Sequence, residues 1–88
     1  MSSYTFKLDN SLNIKSVKGF YEKLKELIDK HDEIILDFNS VESVDLSVLQ
    51  VLFAAGRTMK NMGKNIKYKS LTEGIKRQFY IFGLIKKI

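Results

Sequence analysis

The stretch that most constrains this chain is Glu33-Ile34-Ile35-Leu36-Asp37-Phe38, an almost continuous apolar run, short and β-branched, with a helical pattern on either side. Such a run reads as a central strand covered on both faces. Before it, Val17, Phe20, Tyr21, Leu24, Leu27 and Ile28 fall at i, i+3, i+4, i+7, i+10 and i+11, the spacing of an amphipathic helix whose N-cap is expected at Ser16. After it, a second helix is expected from about Leu46 to Met62, with Gly63 as its left-handed stop. Outside this unit, Tyr4-Thr5-Phe6-Lys7-Leu8 alternates like a half-buried strand, and Asp9-Asn10-Ser11 reads as a turn. Leu12 to Ile14 is expected as a short extended fragment, and Ile66-Lys67-Tyr68 as a last strand. Ser70-Leu71-Thr72-Glu73 has the form of a capping box ahead of Ile75, Phe79 and Phe82, with Gly83 closing that third helix.

Strands alternating with helices of this length imply βαβ crossovers. The expected fold is α/β, one small domain over residues 1–88, with a mixed, mainly parallel sheet and three main helices packed on it. An 88-residue chain supports one core and one main job.

Several classes of function are excluded or weakened at once. With no cysteine there is no disulfide scaffold, thiolate metal site or cysteine nucleophile. MSSYTFKLDN has neither a basic nor an apolar leader region, and no apolar run reaches the ~20 residues of a membrane span, so no membrane insertion is expected and the cytoplasm is the default. The net charge of +5 is lysine-rich and scattered, with Lys64, Lys67, Lys69, Lys76, Arg77, Lys86 and Lys87 shifting the last third positive. A solvated surface explains this better than a nucleic-acid footprint, although Tyr68, Arg77 and Tyr80 are potential stacking groups among those lysines. Asp37 and Asp45 offer a carboxylate pair for an enzyme or phosphoacceptor, with or without a metal. There is no Gly-rich phosphate loop or nucleophile elbow beside them, and the sole His31 sits at a helix end next to Asp32. A non-enzymatic protein without cofactor or metal is expected.

Chemistry concentrates at the junction VESVDLSVLQVL, residues 41–52. At about 100° per residue, Val48, Leu52, Ala55, Met59 and Met62 share the core sector of the second helix. The opposite sector holds Ser47, Gln50, Ala54, Arg57, Thr58 and Asn61, with Val51 and Phe53 at its edges. Ser47 is therefore expected exposed in the first turn, and Asp45 is the natural N-cap. A phosphate on a hydroxyl there would meet unpaired N–H groups while bringing roughly −2 charge close to Asp45. Apolar residues beside small and polar ones also suit a docking surface. The expected docking surface takes Asp45, Leu46, Ser47, Gln50, Val51, Phe53, Ala54 and Arg57 from this junction and helix, and extends to Ser40 and Ser43 in the loop and Asp37 at the end of the strand before it, none of which the projection itself supplies.

From IILDFNSVESVDLSVLQVLFAAGRTMKNMGKNI to LTEGIKRQFYIFGL, the chain resembles the STAS domain, the fold of anti-sigma factor antagonists. In that family a buried strand ending near an acid leads to an Asp-hydroxyl-hydroxyl-small motif at the start of a helix. The resemblance places Asp37 at the first acid, Asp45 at the second, and Ser47 at the second hydroxyl, which a partner serine kinase phosphorylates in anti-sigma antagonists. Leu46 stands where many members have Ser or Thr, and Val48 where Gly or Ala is usual. Members that work with lipid-transport ABC systems tend to carry their key Thr at the place of Leu46. The resemblance implies a protein partner, an anti-sigma factor or serine kinase-like regulator, docked through the 39–47 loop and second helix and released by phosphorylation of Ser47. The alternative within the family is a subunit of a chemotaxis or lipid-transport ABC assembly that is never phosphorylated. Exposed Phe53 and the tail Ile81-Phe82-Gly83-Leu84-Ile85 are compatible with a weak homodimer.

Overall fold

The computed structural model describes residues 2–10 and 12–86. Its elements are β1 (Ser3–Asp9), α1 (Val17–Lys30), β2 (Glu33–Ser40), α2 (Leu46–Asn61), β3 (Asn65–Lys69) and α3 (Glu73–Phe82). The sheet has the order β1-β2-β3, and both pairs are parallel, so among the described residues it is wholly parallel rather than mixed.

Order and direction together decide where the helices go. Parallel crossovers are right-handed, and two that step the same way across a sheet leave their helices on the same face. The side chains agree. Ile34, Leu36 and Phe38 of β2 are fully buried. Phe6, in register with Leu36, meets Phe20 of α1 at 5.9 Å between ring centroids. Phe38 takes Phe79 of α3 edge-on at 5.5 Å, and Phe79 meets Tyr68 of β3 at 4.9 Å. Leu24, Val48, Leu52, Met59 and Ile75 complete the core on that side.

The other face of the sheet is polar. Glu33, Ile35 and Asp37 are flanked by Ser3, Thr5 and Lys7 on β1 and by Asn65, Lys67 and Lys69 on β3, and all six flanking residues are exposed. Glu33 accepts from Ser3 and Asn65 at 3.3 Å and pairs with Lys67 at 3.2 Å. The expectation that β2 is covered on both faces is therefore corrected: the acids at alternate positions of the run mark a face on which no helix lies.

Local chemistry corrects three further expectations. Leu12 to Ile14 is not extended. Asn13 Oδ1 accepts from Lys15 N at 2.8 Å and Ser16 Oγ from Asn13 N at 3.0 Å, so side chains fold the segment into a turn. Ser16 occupies the N-cap position, but its hydroxyl makes no capping bond to α1. Ser70 sits at φ 62° and caps nothing; Thr72 Oγ1 accepts from Ile75 N at 3.2 Å and Glu73 is already helical, so the reciprocal box does not form. Gly63 and Gly83 adopt the left-handed conformation expected of helix stops, at φ 72° and 89°. Met62 is exposed, and Leu49 instead joins the core face of α2. Ser11, the third residue of the expected turn, lies outside the described residues.

Phe79 bridges β2, β3 and α3, so Phe79→Ala should destabilise the fold by about 3–5 kcal/mol in urea unfolding. Burial pushes the Tyr68 phenol up to about 12 from its ordinary 10. The native state then holds that proton after the unfolded chain has released it, so stability should fall as pH rises from about 10 toward 12. Spectrophotometric titration beside unfolding at each pH checks this, and Tyr68→Phe should flatten the dependence.

Candidate functional site

In a parallel sheet all strands deliver their C-terminal ends to one side, so the loops after β1, β2 and β3 meet there. Asp37, buried near the end of β2 and in register between Lys7 and Lys69, accepts from Asn39 N at 2.9 Å and shapes the exit of the strand. Val41 N returns to Phe38 O at 3.0 Å, and buried Val41 and Val44 anchor the loop, leaving Ser40 and Ser43 exposed. Three long-range bonds tie it to its neighbours. Asn10 Oδ1 accepts from Glu42 N, Asp45 Oδ2 from Ile14 N, and Val44 O from Gln78 Nε2, each at 2.9 Å.

Asp45 holds the N-cap position in extended backbone, and its carbonyl accepts from Val48 N and Leu49 N at 3.0 and 3.1 Å. Its carboxylate makes no bond to α2, contrary to expectation, because Ile14 N has taken it. The residue thus fastens the turn before α1 to the start of α2.

Ser47 is also corrected. It is half-buried, and its Oγ is shielded from solvent with no hydrogen-bond partner. A projection of α2 alone puts this side chain on the open face. It takes no account of segments distant in sequence, two of which are tied to Val44 and Asp45 just before the first turn.

Three strongly exposed apolar residues belong to the segments that these bonds bring together at the junction. Leu46 is 60% exposed and Ile14, brought beside it by the Asp45 bond, is 68% exposed. Ile81, one turn along α3 from the Gln78 tether, is 84% exposed. Gln50, Ala54 and Arg57 continue the exposed side of α2, while Val51 is half-buried against the core. Phe53 leans edge-on against Phe82 at 5.8 Å, and the Arg57 guanidinium lies 6.0 Å from the centre of its ring. Asp37 does not join this surface, being buried near the end of the strand. Ile14 and Gln78 were not legible as site residues, because only the tertiary bonds bring them to the junction.

The rest of the titratable chemistry is dispersed. Among the described residues no group of three or more His, Cys, Asp or Glu is placed to hold a metal ion. His31 Nδ1 lies 2.6 Å from Ser2 Oγ with its ring against Tyr4, an anchor for the start of β1. Tyr68 belongs to the core contacts, whereas Arg77 and Tyr80 are exposed. No described helix is long and apolar enough to cross a membrane.

Comparison with known proteins adds to this geometry. A family model described as "Mlab, STAS domain" matches residues 2–88. No curated protein matches the chain. The solved structure titled "NMR Structure of the protein TM1081" superposes with a TM-score of 0.81 at 22% identity, a level at which the likeness is one of fold. It covers 91% of this chain but 66% of that one, so the present chain spans just under two thirds of its neighbour's length.

Replacing a shielded, unbonded hydroxyl by a methyl group removes a polar atom without breaking a bond. Ser47→Ala is therefore expected to be neutral or stabilising by up to about 1 kcal/mol in thermal or urea unfolding. A loss of more than that amount would mean the hydroxyl is bonded after all.

Proposed function

The chain belongs to the STAS domain family, whose members are typically non-enzymatic regulatory or interaction modules, and on that premise we propose that it is a docking module resembling an anti-sigma factor antagonist. Its partner is an anti-sigma factor or serine kinase-like regulator, bound through the 39–47 loop and the exposed side of α2. The observation that carries the reading is the exposure of Leu46, Ile14 and Ile81, apolar residues on three segments that side-chain bonds from Asp45 and Gln78 tie together at the start of α2. Leu46, Gln50, Phe53, Ala54 and Arg57 supply the contact from α2, with Ser40 and Ser43 from the loop. Phe53 and Ile81 would also serve a weak homodimer.

Phosphorylation of Ser47 releases the partner in this reading. The γ-phosphoryl group of ATP passes to Oγ, and ADP and the hydroxyl proton leave. Because Oγ is shielded, the kinase works on an opened first turn, and the phosphoserine has no room to return. Modification then disrupts the surface by displacement as well as by charge.

A second reading has one observation in its favour. The same shielding suits a STAS subunit of a chemotaxis or lipid-transport ABC assembly that is never phosphorylated. Intact-mass and phosphopeptide analysis of protein from its native host, beside a Ser47→Ala strain, separates the two. Phosphate on Ser47 supports the switch; its absence under both growth and stress supports the constitutive subunit. With the partner identified, Ser47→Asp should weaken binding more than about tenfold. Leu46→Asp, at an exposed position that leaves the core intact, should do the same; unchanged affinity in both variants would remove the docking reading.

A further inference from the structure

A second concave surface lies along the C-terminal half of α2, away from the junction. A groove of about 460 Å³ runs between α2, the outer side of β3 and the chain after α3. Its apolar floor comes from Phe53, Ile66, Tyr68 and Leu84, and Arg57, Lys60 and Lys86 stand around it. No carboxylate lines it, and none of those three cations is ion-paired among the described residues. Lys64 contributes only its stem, because its ammonium donates to Ile28 O at the end of α1. The charge imbalance is regional: from Leu46 onward the sequence has one acid, Glu73, against nine Lys and Arg.

Two backbone features make the groove more than a basic patch. β3 pairs only with β2, and no backbone bond from the other described residues reaches the outer side of Ile66 to Lys69, so that edge is open to a further strand. Gly56, inside α2, is disfavoured there relative to alanine. Packing does not demand it, since a Cβ would sit an ordinary 3.8 Å from Ile66 Cγ2. What the glycine does is leave the wall of the groove bare.

We propose that the free edge of β3 and this groove bind an extended acidic peptide segment of a protein, which adds as a strand beside Asn65–Lys69. Side chains of a strand alternate between faces, and so does this site. On the helix side the occupant meets the apolar floor and the cations of α2. On the other side it meets Lys67 and Lys69. An occupant alternating acidic and apolar residues satisfies both faces, and its main chain satisfies the open edge. The groove shares Phe53 and Arg57 with the docking surface but otherwise lies at the opposite end of α2, so either site can fail without the other.

The test titrates the ¹⁵N-labelled full chain with an acetylated heptapeptide alternating glutamate and valine. Saturable shifts at the amides of residues 65–69, with slowed exchange of those that point outward, are expected. Gly56→Leu, which fills the groove, and Lys60→Glu should each weaken binding by about tenfold or more. Lys18→Glu on α1 should leave it unchanged, with melting curves confirming that all three variants fold. No saturation, or equal binding by Gly56→Leu, overturns the proposal. So does equal binding of a heptapeptide alternating glutamate and glycine, which would show bare charge attraction. Saturation of the same amides by a thymidine decanucleotide but not by the peptide would overturn it in favour of nucleic acid.

Discussion

Everything in this molecule hangs on one face of one strand. Because β1, β2 and β3 are parallel and lie in chain order, the right-handed crossovers bring α1 and α2 to the side of Ile34, Leu36 and Phe38, and Phe79 brings α3 there too. A single layer of helices then shares one core, while Glu33 and Ile35 are half-buried on the polar face and Asp37 is buried between its neighbours there. The same parallel arrangement gathers the loops after the three strands at one end of the sheet. The candidate site is there because α2 starts there, and α2 starts there because β2 ends there.

The junction is held by long-range bonds more than by helix capping. Asn10, Ile14 and Gln78 each reach a different residue of the stretch Glu42 to Asp45. The carboxylate that an isolated α2 would use as a cap is spent on another loop, and the first turn encloses an unsatisfied Ser47 hydroxyl. A shielded polar atom without a partner weakens its surroundings.

Much of this was legible in the sequence. The helical spacing of Val17 to Ile28, the β-branched run Glu33 to Phe38 and the glycines at 63 and 83 are local signals, and the elements formed where they pointed. The exposed residues of α2 from Gln50 to Arg57 followed from helix geometry. What escaped was decided by partners distant in sequence. Leu12 to Ile14 had too few residues for its alternation to mean a strand, and Asn13 turned it. Ser70 was expected to open the capping box, but its backbone is left-handed and Thr72 caps the helix instead. Ser47 was placed on an open face because a helical projection cannot show what the rest of the fold covers. Within Glu33 to Phe38, the uncovered face was written in Glu33 and Asp37, but an almost continuous apolar run hides it.

The central claim is that the exposed apolar residues of the segments joined at the start of α2, and not the polar face of the sheet, are where a protein partner docks. The most direct measurement is site-specific photocrosslinking in the native host, with a photoreactive side chain at Leu46 in one strain and at Thr5 in another, followed by identification of the captured protein. The account predicts a crosslink from position 46 to a kinase-like or anti-sigma regulator and none from position 5. Capture of that regulator from position 5, with none from position 46, would contradict it.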